Sequence, residues 1–195
     1  MNRLPENNSR GFTLIELLIA MTVGLVVLAA VYGVFIIQNK TYKVQDQIAE
    51  MQQNARAGMD IMTGEIMLAG YNPADTAFDG ITYSTSQLQI RADLDGDGTP
   101  DDASENIIYL YDTTNLQIDR NTGGGAQPLI ENVQAFTFEY LDGNGNSTTA
   151  TANIRQVRIT ITMRTADPDP DYTPNGGYRT YVLTSVIVPR NLGLL

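Results

Sequence analysis

Apolar positions along this chain change their spacing twice. From Phe12 to Ile37 they run almost unbroken: among 26 residues Glu16 is the one charge, with Thr13 and Thr22 the other polar side chains. That exceeds the roughly 20 apolar residues with which a helix crosses a bilayer. A cleaved secretory signal has an apolar core of about 7–15 residues that ends at a small-x-small site, so this run is too long to be one. A carboxylate in such a helix costs up to about 2.5–3.5 kcal/mol on insertion scales, less near the end, which marks Glu16 as a functional candidate.

After Ile37 the composition turns polar, yet no Pro or turn cluster interrupts the chain before Tyr71-Asn72-Pro73. Ile48, Met51, Ala55, Met59, Met62, Ile66 and Ala69 recur at spacings of three and four, the stripe of an amphipathic helix. The pattern predicts one helix from Phe12 through Ala69, 58 residues or about 87 Å. Its second half is expected to lie on a globular domain, with methionines filling gaps in the core.

From Ile81 the spacing shortens to alternation, in runs separated by Gly, Asp, Asn and Pro. Strands are expected over 87–91, 106–111, 116–119, 129–141, 154–164 and 178–188. Phe136, Phe138 and Tyr140 share one face of their strand, and Val157, Ile159, Ile161 and Met163 one face of another. One buried and one wet face is the pattern of an antiparallel sheet. Asp142-Gly143-Asn144-Gly145 carries hairpin-turn chemistry, and 167–177, with three Pro and two Gly, reads as an exposed loop.

Composition removes whole classes of function. The 195 residues contain no His, Cys or Trp, so imidazole bases, thiolate nucleophiles and most self-made zinc, haem or iron–sulfur sites are absent, and no enzyme activity is expected. A formal charge of −10 disfavours nucleic acid as a partner. Arg3 and Arg10 before the apolar run balance Lys40 and Lys43 after it, so positive-inside counting leaves its orientation open.

Arg10-Gly11-Phe12-Thr13-Leu14-Ile15-Glu16-Leu17-Leu18-Ile19-Ala20 resembles the class III leader junction of type IV prepilins and type II secretion pseudopilins. The resemblance implies that residues 1–11 are a leader, that a prepilin peptidase in the membrane cuts after Gly11 on the cytoplasmic side, and that it methylates the new amine at Phe12. Loss of Arg3, Arg10 and Glu6 would shift the formal charge to −11. It also implies that the C-terminal region lies outside the inner membrane. Within an apolar bundle, Glu16 becomes tolerable when a cation reaches it, and the released amine of a neighbouring subunit is suited to this, fixing register more than supplying stability. Further on, Gln52-Gln53-Asn54-Ala55-Arg56, Glu65-Ile66, Ala69-Gly70-Tyr71, the strand around Val133 to Tyr140 and the ending Val188-Pro189-Arg190-Asn191-Leu192 resemble PilW-type minor pilins, relatives of J-type pseudopilins. The apolar helix lacks the Pro found in many major pilins.

One motif stands apart. Asp93-Leu94-Asp95-Gly96-Asp97-Gly98-Thr99-Pro100-Asp101-Asp102 places Asp93, Asp95 and Asp97 at the first, third and fifth positions of a calcium-type loop, Gly98 at the sixth, Thr99 at the carbonyl position and Asp101 at the ninth. Ser104 stands where a closing Glu belongs, with Glu105 one residue beyond, so Asp101, Asp102 or Glu105 would have to complete the shell. The same residues also fit a solvated acidic hairpin whose Asp-Gly pairs only make the turn. Ca2+ and no ligand are both open at this point.

The expected fold is α+β and type IV pilin-like: a leader (1–11), a transmembrane and filament-core helix (12–37), an amphipathic stem (38–71) and a β-rich head (72–195). The expected function is that of a minor pilin priming, capping or modulating a type IV pilus, held in the inner membrane with its head in the periplasm before entering an extracellular filament. Its partners would be the prepilin peptidase, other major and minor pilins and the inner-membrane assembly platform. The alternatives are a J-type minor pseudopilin of a type II secretion system and a tip adhesin whose ligand surface includes Tyr172 and Tyr178.

Overall fold

The computed structural model describes residues 11–192. The expected leader, apart from Gly11, and residues 193–195 lie outside them. The chain divides into two compact units, residues 1–45 and 46–195.

Helix α1 runs Leu14–Leu68. In the first unit every residue from 11 to 43 is exposed, including Phe35, Ile36 and Ile37. Among its described residues the first unit buries no apolar side chain within its own fold. In the second unit the same helix buries Met51, Ala55, Gly58, Met59, Met62 and Ile66, and Ile48 packs at the edge of the core, as the stripe predicts. Termination follows local chemistry. Gly70 takes a φ of 75°, the left-handed conformation that ends helices at low cost for Gly, and the Tyr71 amide donates to the Leu68 carbonyl.

Eight strands follow among the described residues: β1 (Ile81–Thr82), β2 (Gln87–Arg91), β3 (Asn106–Asp112), β4 (Gln117–Asn121), β5 (Ala126–Ile130), β6 (Val133–Leu141), β7 (Gln156–Arg164) and β8 (Thr180–Ile187). All pairings are antiparallel, but they form two sheets, β1-β2-β3-β4-β5 and β6-β7-β8, where the sequence pattern suggested a single buried face. The expected strand 129–141 is interrupted at Asn132, whose φ of 59° turns the chain from one sheet to the other. Backbone bonds from Val133 N–H to the Leu116 carbonyl (2.8 Å) and from Arg164 N–H to the Asn132 carbonyl (2.9 Å) fasten that crossing. Leu116, expected in a strand, has a φ of 54° and belongs to the β3–β4 turn, where Asp112 accepts from the Thr114 and Asn115 amides. β1 was too short for its alternation to register.

The two sheets and residues 51–69 share one core. Leu88 lies opposite Tyr109, Phe136 opposite Ile161 and Tyr140 opposite Val157, and these belong to the same buried cluster as Met62 and Ile66. Phe136, Phe138 and Tyr140 meet in series, tilted and edge to face, at ring separations of 5.7 Å. A polar knot joins helix to sheet: Glu65 receives Arg120 Nη2 at 2.5 Å and Nε at 2.9 Å, and the hydroxyl of fully buried Tyr109 donates to its other oxygen. At Gly80 an added Cβ would lie 2.3 Å from the Gly70 nitrogen, so two backbone segments meet with no room for a side chain.

Candidate functional site

The residues singled out from sequence fall in two places. Gly11, Phe12 and Thr13 precede the helix in open chain, and Phe12 is 89% exposed. Thr13 and Glu16 then form a reciprocal capping box: the Glu16 amide donates to Thr13 Oγ1 (3.3 Å), and the Thr13 amide (2.9 Å) and hydroxyl (2.8 Å) donate to Glu16 Oε2. Glu16, expected to find its partner on a neighbouring chain, therefore already has one on its own. A Thr followed three residues later by a Glu at the head of an apolar run was the available signal. A carboxylate has about four acceptor positions, so the cap leaves room for a cation as well.

The second place is the loop between β2 and β3. Asp93, fully buried, accepts from the Gly96 amide at Oδ1 (2.8 Å) and the Gly98 amide at Oδ2 (3.1 Å). Asp95 accepts from the Asp97 amide (3.0 Å), and Asp97 from the Thr99 amide (2.8 Å) and hydroxyl (2.9 Å). The Thr99 hydroxyl also lies 3.0 Å from Asp101 Oδ1. Positive φ at Gly96 (82°) and Gly98 (90°) lets the chain wrap tightly enough for this. The result brings carboxylate oxygens of Asp93, Asp95 and Asp97 within 4.8 Å of one another. Asp102 stands by: its carboxyl is held above its ordinary value, first by the charge of Asp95 and then by that of Glu105.

Glu105, which the spacing rule put one position too late, proves to be built into the loop. It is 3% exposed, and its Oε1 accepts from the Leu94 (2.6 Å) and Asp95 (3.1 Å) amides, whereas its buried Oε2 has no hydrogen-bond partner. Its sequence signal was ambiguous because position alone does not show which carboxylate turns inward.

Loop 167–177 is exposed along most of its length, as expected, but it is tied down at three points. Asp169 and Gly177 are buried, Arg179 Nη2 bonds Asp169 Oδ2 at 2.8 Å, and the same guanidinium lies 4.3 Å over the ring of Tyr172. Arg164 covers Tyr178 at the same distance. Both tyrosines considered for a ligand surface are thus engaged by arginines of the head itself.

Residues 7–32 match the family model of the prokaryotic N-terminal methylation motif, a span that contains Gly11, Phe12 and Glu16. Residues 44–182 match the model of prepilin peptidase-dependent protein B. No curated protein matches. Among solved structures, a type IV-like pilin from Thermus thermophilus is similar at 15% identity and a TM-score of 0.43, over 72% of this chain and 97% of that one.

Proposed function

Because the chain belongs to the prepilin peptidase-dependent protein B family and is a type IV minor pilin, we propose that it primes or caps a type IV pilus. Processing by the prepilin peptidase and association with other pilins follow from the family; cleavage between Gly11 and Phe12, an inner-membrane stage with the head in the periplasm, contact with the assembly platform and later entry into the filament are parts of the proposal. The observation that carries it is the apolar run from Phe12 to Ile37, wholly exposed in a chain whose other unit has its own core. Bilayer and filament both supply the missing apolar surroundings. Glu16 is assigned to register: capped by Thr13, it keeps acceptor capacity for the amine of an adjacent subunit.

The test is deletion in the native host, with complementation by the wild-type chain and by the Glu16→Val variant, and filaments per cell counted by electron microscopy. Filament number should fall on deletion, return with the wild-type chain, and return only in part with Glu16→Val although the variant is inserted and cleaved. Unchanged filament number after deletion, above all with loss of protein secretion, contradicts the pilus role.

A further inference from the structure

We propose that the cleft between segments 83–85 and 147–149 and strand β6 binds the ring of a neutral carbohydrate. This stands apart from the assembly role, which does not depend on it. The cleft measures about 350 Å³, within the size range of small-ligand pockets. Part of its lining is aromatic. Tyr83 presents its ring 36% exposed, and buried Tyr140 backs that ring at 5.4 Å and a tilt of 59°. Phe138, half-buried, continues the surface and meets Tyr140 edge to face. Among the described residues no guanidinium lies over Tyr83, in contrast to Tyr172 and Tyr178.

Hydroxyls make up most of the rest of the lining, from Ser84, Thr85, Ser147, Thr148 and Thr149. Thr148 Oγ1 accepts the Ala150 amide at 3.2 Å and keeps its own proton to donate. Among the described residues the hydroxyls of Tyr83, Thr85 and Thr149 enter no hydrogen bond, so all three are free for a ligand. The backbone that carries these groups is pinned. The Tyr83 amide donates to Thr151 Oγ1 at 3.1 Å, and the Thr148 amide to the Tyr140 carbonyl at 2.9 Å. Asp142 braces the adjoining hairpin by accepting from the Asn144 (2.8 Å) and Asn146 (2.9 Å) amides. The walls thus stand in place before a ligand arrives, which lowers the ordering cost of binding.

Charge selects the class of ligand. Glu139 is the one ionisable acid or base among the described lining residues besides the tyrosines, and Arg158 already neutralises it at one oxygen while the Ser147 hydroxyl donates to the other. The bond from Ser147 first, and Arg158 second, hold its carboxyl below the ordinary value, so at neutral pH it is an acceptor with lone pairs to spare. An anion finds no unpaired cation here, and a cation finds a carboxylate that already has one. An extended peptide meets a Tyr140 carbonyl already occupied by Thr148. A sugar ring uses what remains: its C–H face packs on Tyr83 and Phe138, and its rim hydroxyls donate to Glu139 and bond the threonines.

The experiment uses the full chain in micelles of a detergent without a sugar headgroup. Saturation-transfer NMR and calorimetric titration are run with glucose, galactose, mannose, N-acetylglucosamine, chitobiose and lactose, and with glucosamine and sialic acid as charged counterparts. At least one neutral sugar should bind with a stoichiometry of one and a Kd of about 1 mM or below. Tyr83→Ala should weaken that binding about tenfold or more, and Tyr83→Phe, which keeps the ring, by less. Thr149→Val, at an exposed position, should leave Tm unchanged and weaken binding about threefold to tenfold, which keeps the site testable should Tyr83→Ala disturb the fold. Tyr172→Ala, on another loop, should bind as the wild type does. No binding of any neutral sugar at about 20 mM overturns the proposal. Undiminished binding in both Tyr83→Ala and Thr149→Val overturns the site, and tighter binding of glucosamine or sialic acid than of every neutral sugar overturns the class of ligand.

Discussion

Helix α1 is one stretch of secondary structure serving two different solvents. Between Leu14 and Ile37 its apolar residues are distributed all round and every one is exposed; between Met51 and Ile66 most of them keep to one stripe and are buried against two sheets, Ala57 and Ile61 being exposed off it. A stripe identifies a helix that its own chain covers, whereas apolarity on every side identifies one that something else must cover. The two segments should therefore respond oppositely to the same substitutions, and the following predictions exploit that contrast.

The largest effect is expected at the Gly70–Gly80 contact. Gly80→Ala drives a Cβ to within 2.3 Å of backbone that has no flexible side chain to move aside, so unfolding of the head in micelles, read by loss of its cooperative melt, is the expected result. Gly24→Ala, with nothing within 4 Å of the added carbon, should leave that melt unchanged.

Next comes the stripe. Met62→Ala should cost about 2–5 kcal/mol in denaturant unfolding of the head, because Met62 is fully buried. Leu25→Ala, at a position 64% exposed, should shift that transition by less than about 0.5 kcal/mol. Equal effects at the two positions would erase the distinction between the regions.

Alkaline pH supplies a milder probe of the head. Burial pushes Tyr140 up to about 12 and raises Tyr109 as well, with its hydrogen bond to Glu65 as a second cause. Both raised groups favour the fold fully below about pH 10, where an unfolded Tyr stays protonated, and that contribution is lost as pH climbs through the folded value. The denaturant midpoint should thus hold from pH 8 to 10 and fall toward 12. Tyr140→Phe, which retains the ring contacts with Tyr83 and Phe138, should flatten part of the fall.

The smallest effect belongs to the helix start. Thr13→Val removes the hydroxyl of the capping box and should cost about 1 kcal/mol, confined to the first turn and visible as faster hydrogen exchange of its amides. Glu16→Gln keeps an acceptor for the cap but loses the charge. If it assembles as the wild type does, capping alone explains the residue.

Much of this architecture was legible because periodicity is a direct imprint of burial. The positions from Met51 to Ala69 were read from spacing, and so was the inward face of β7, where Val157, Ile159, Ile161 and Met163 are all buried. Legibility failed where one residue decides. Asn132 and Leu116 take left-handed conformations that neither hydrophobic pattern nor composition announces, and the first of them divides one expected strand between two sheets. At the candidate sites the residue types stood out while their partners did not. Thr13 beside Glu16, and Glu105 bonded to the Leu94 and Asp95 amides, act through geometry that spacing rules reach only to within a residue.

The central claim, that the exposed apolar segment is the working end of a processed pilin, meets its most direct test in the intact mass and N-terminal sequence of the protein purified from its native membrane. The account predicts a chain beginning at Phe12 with a methylated amine, and an uncut precursor for Gly11→Val. A native chain beginning at Met1, or at a residue beyond Ala20, would contradict it.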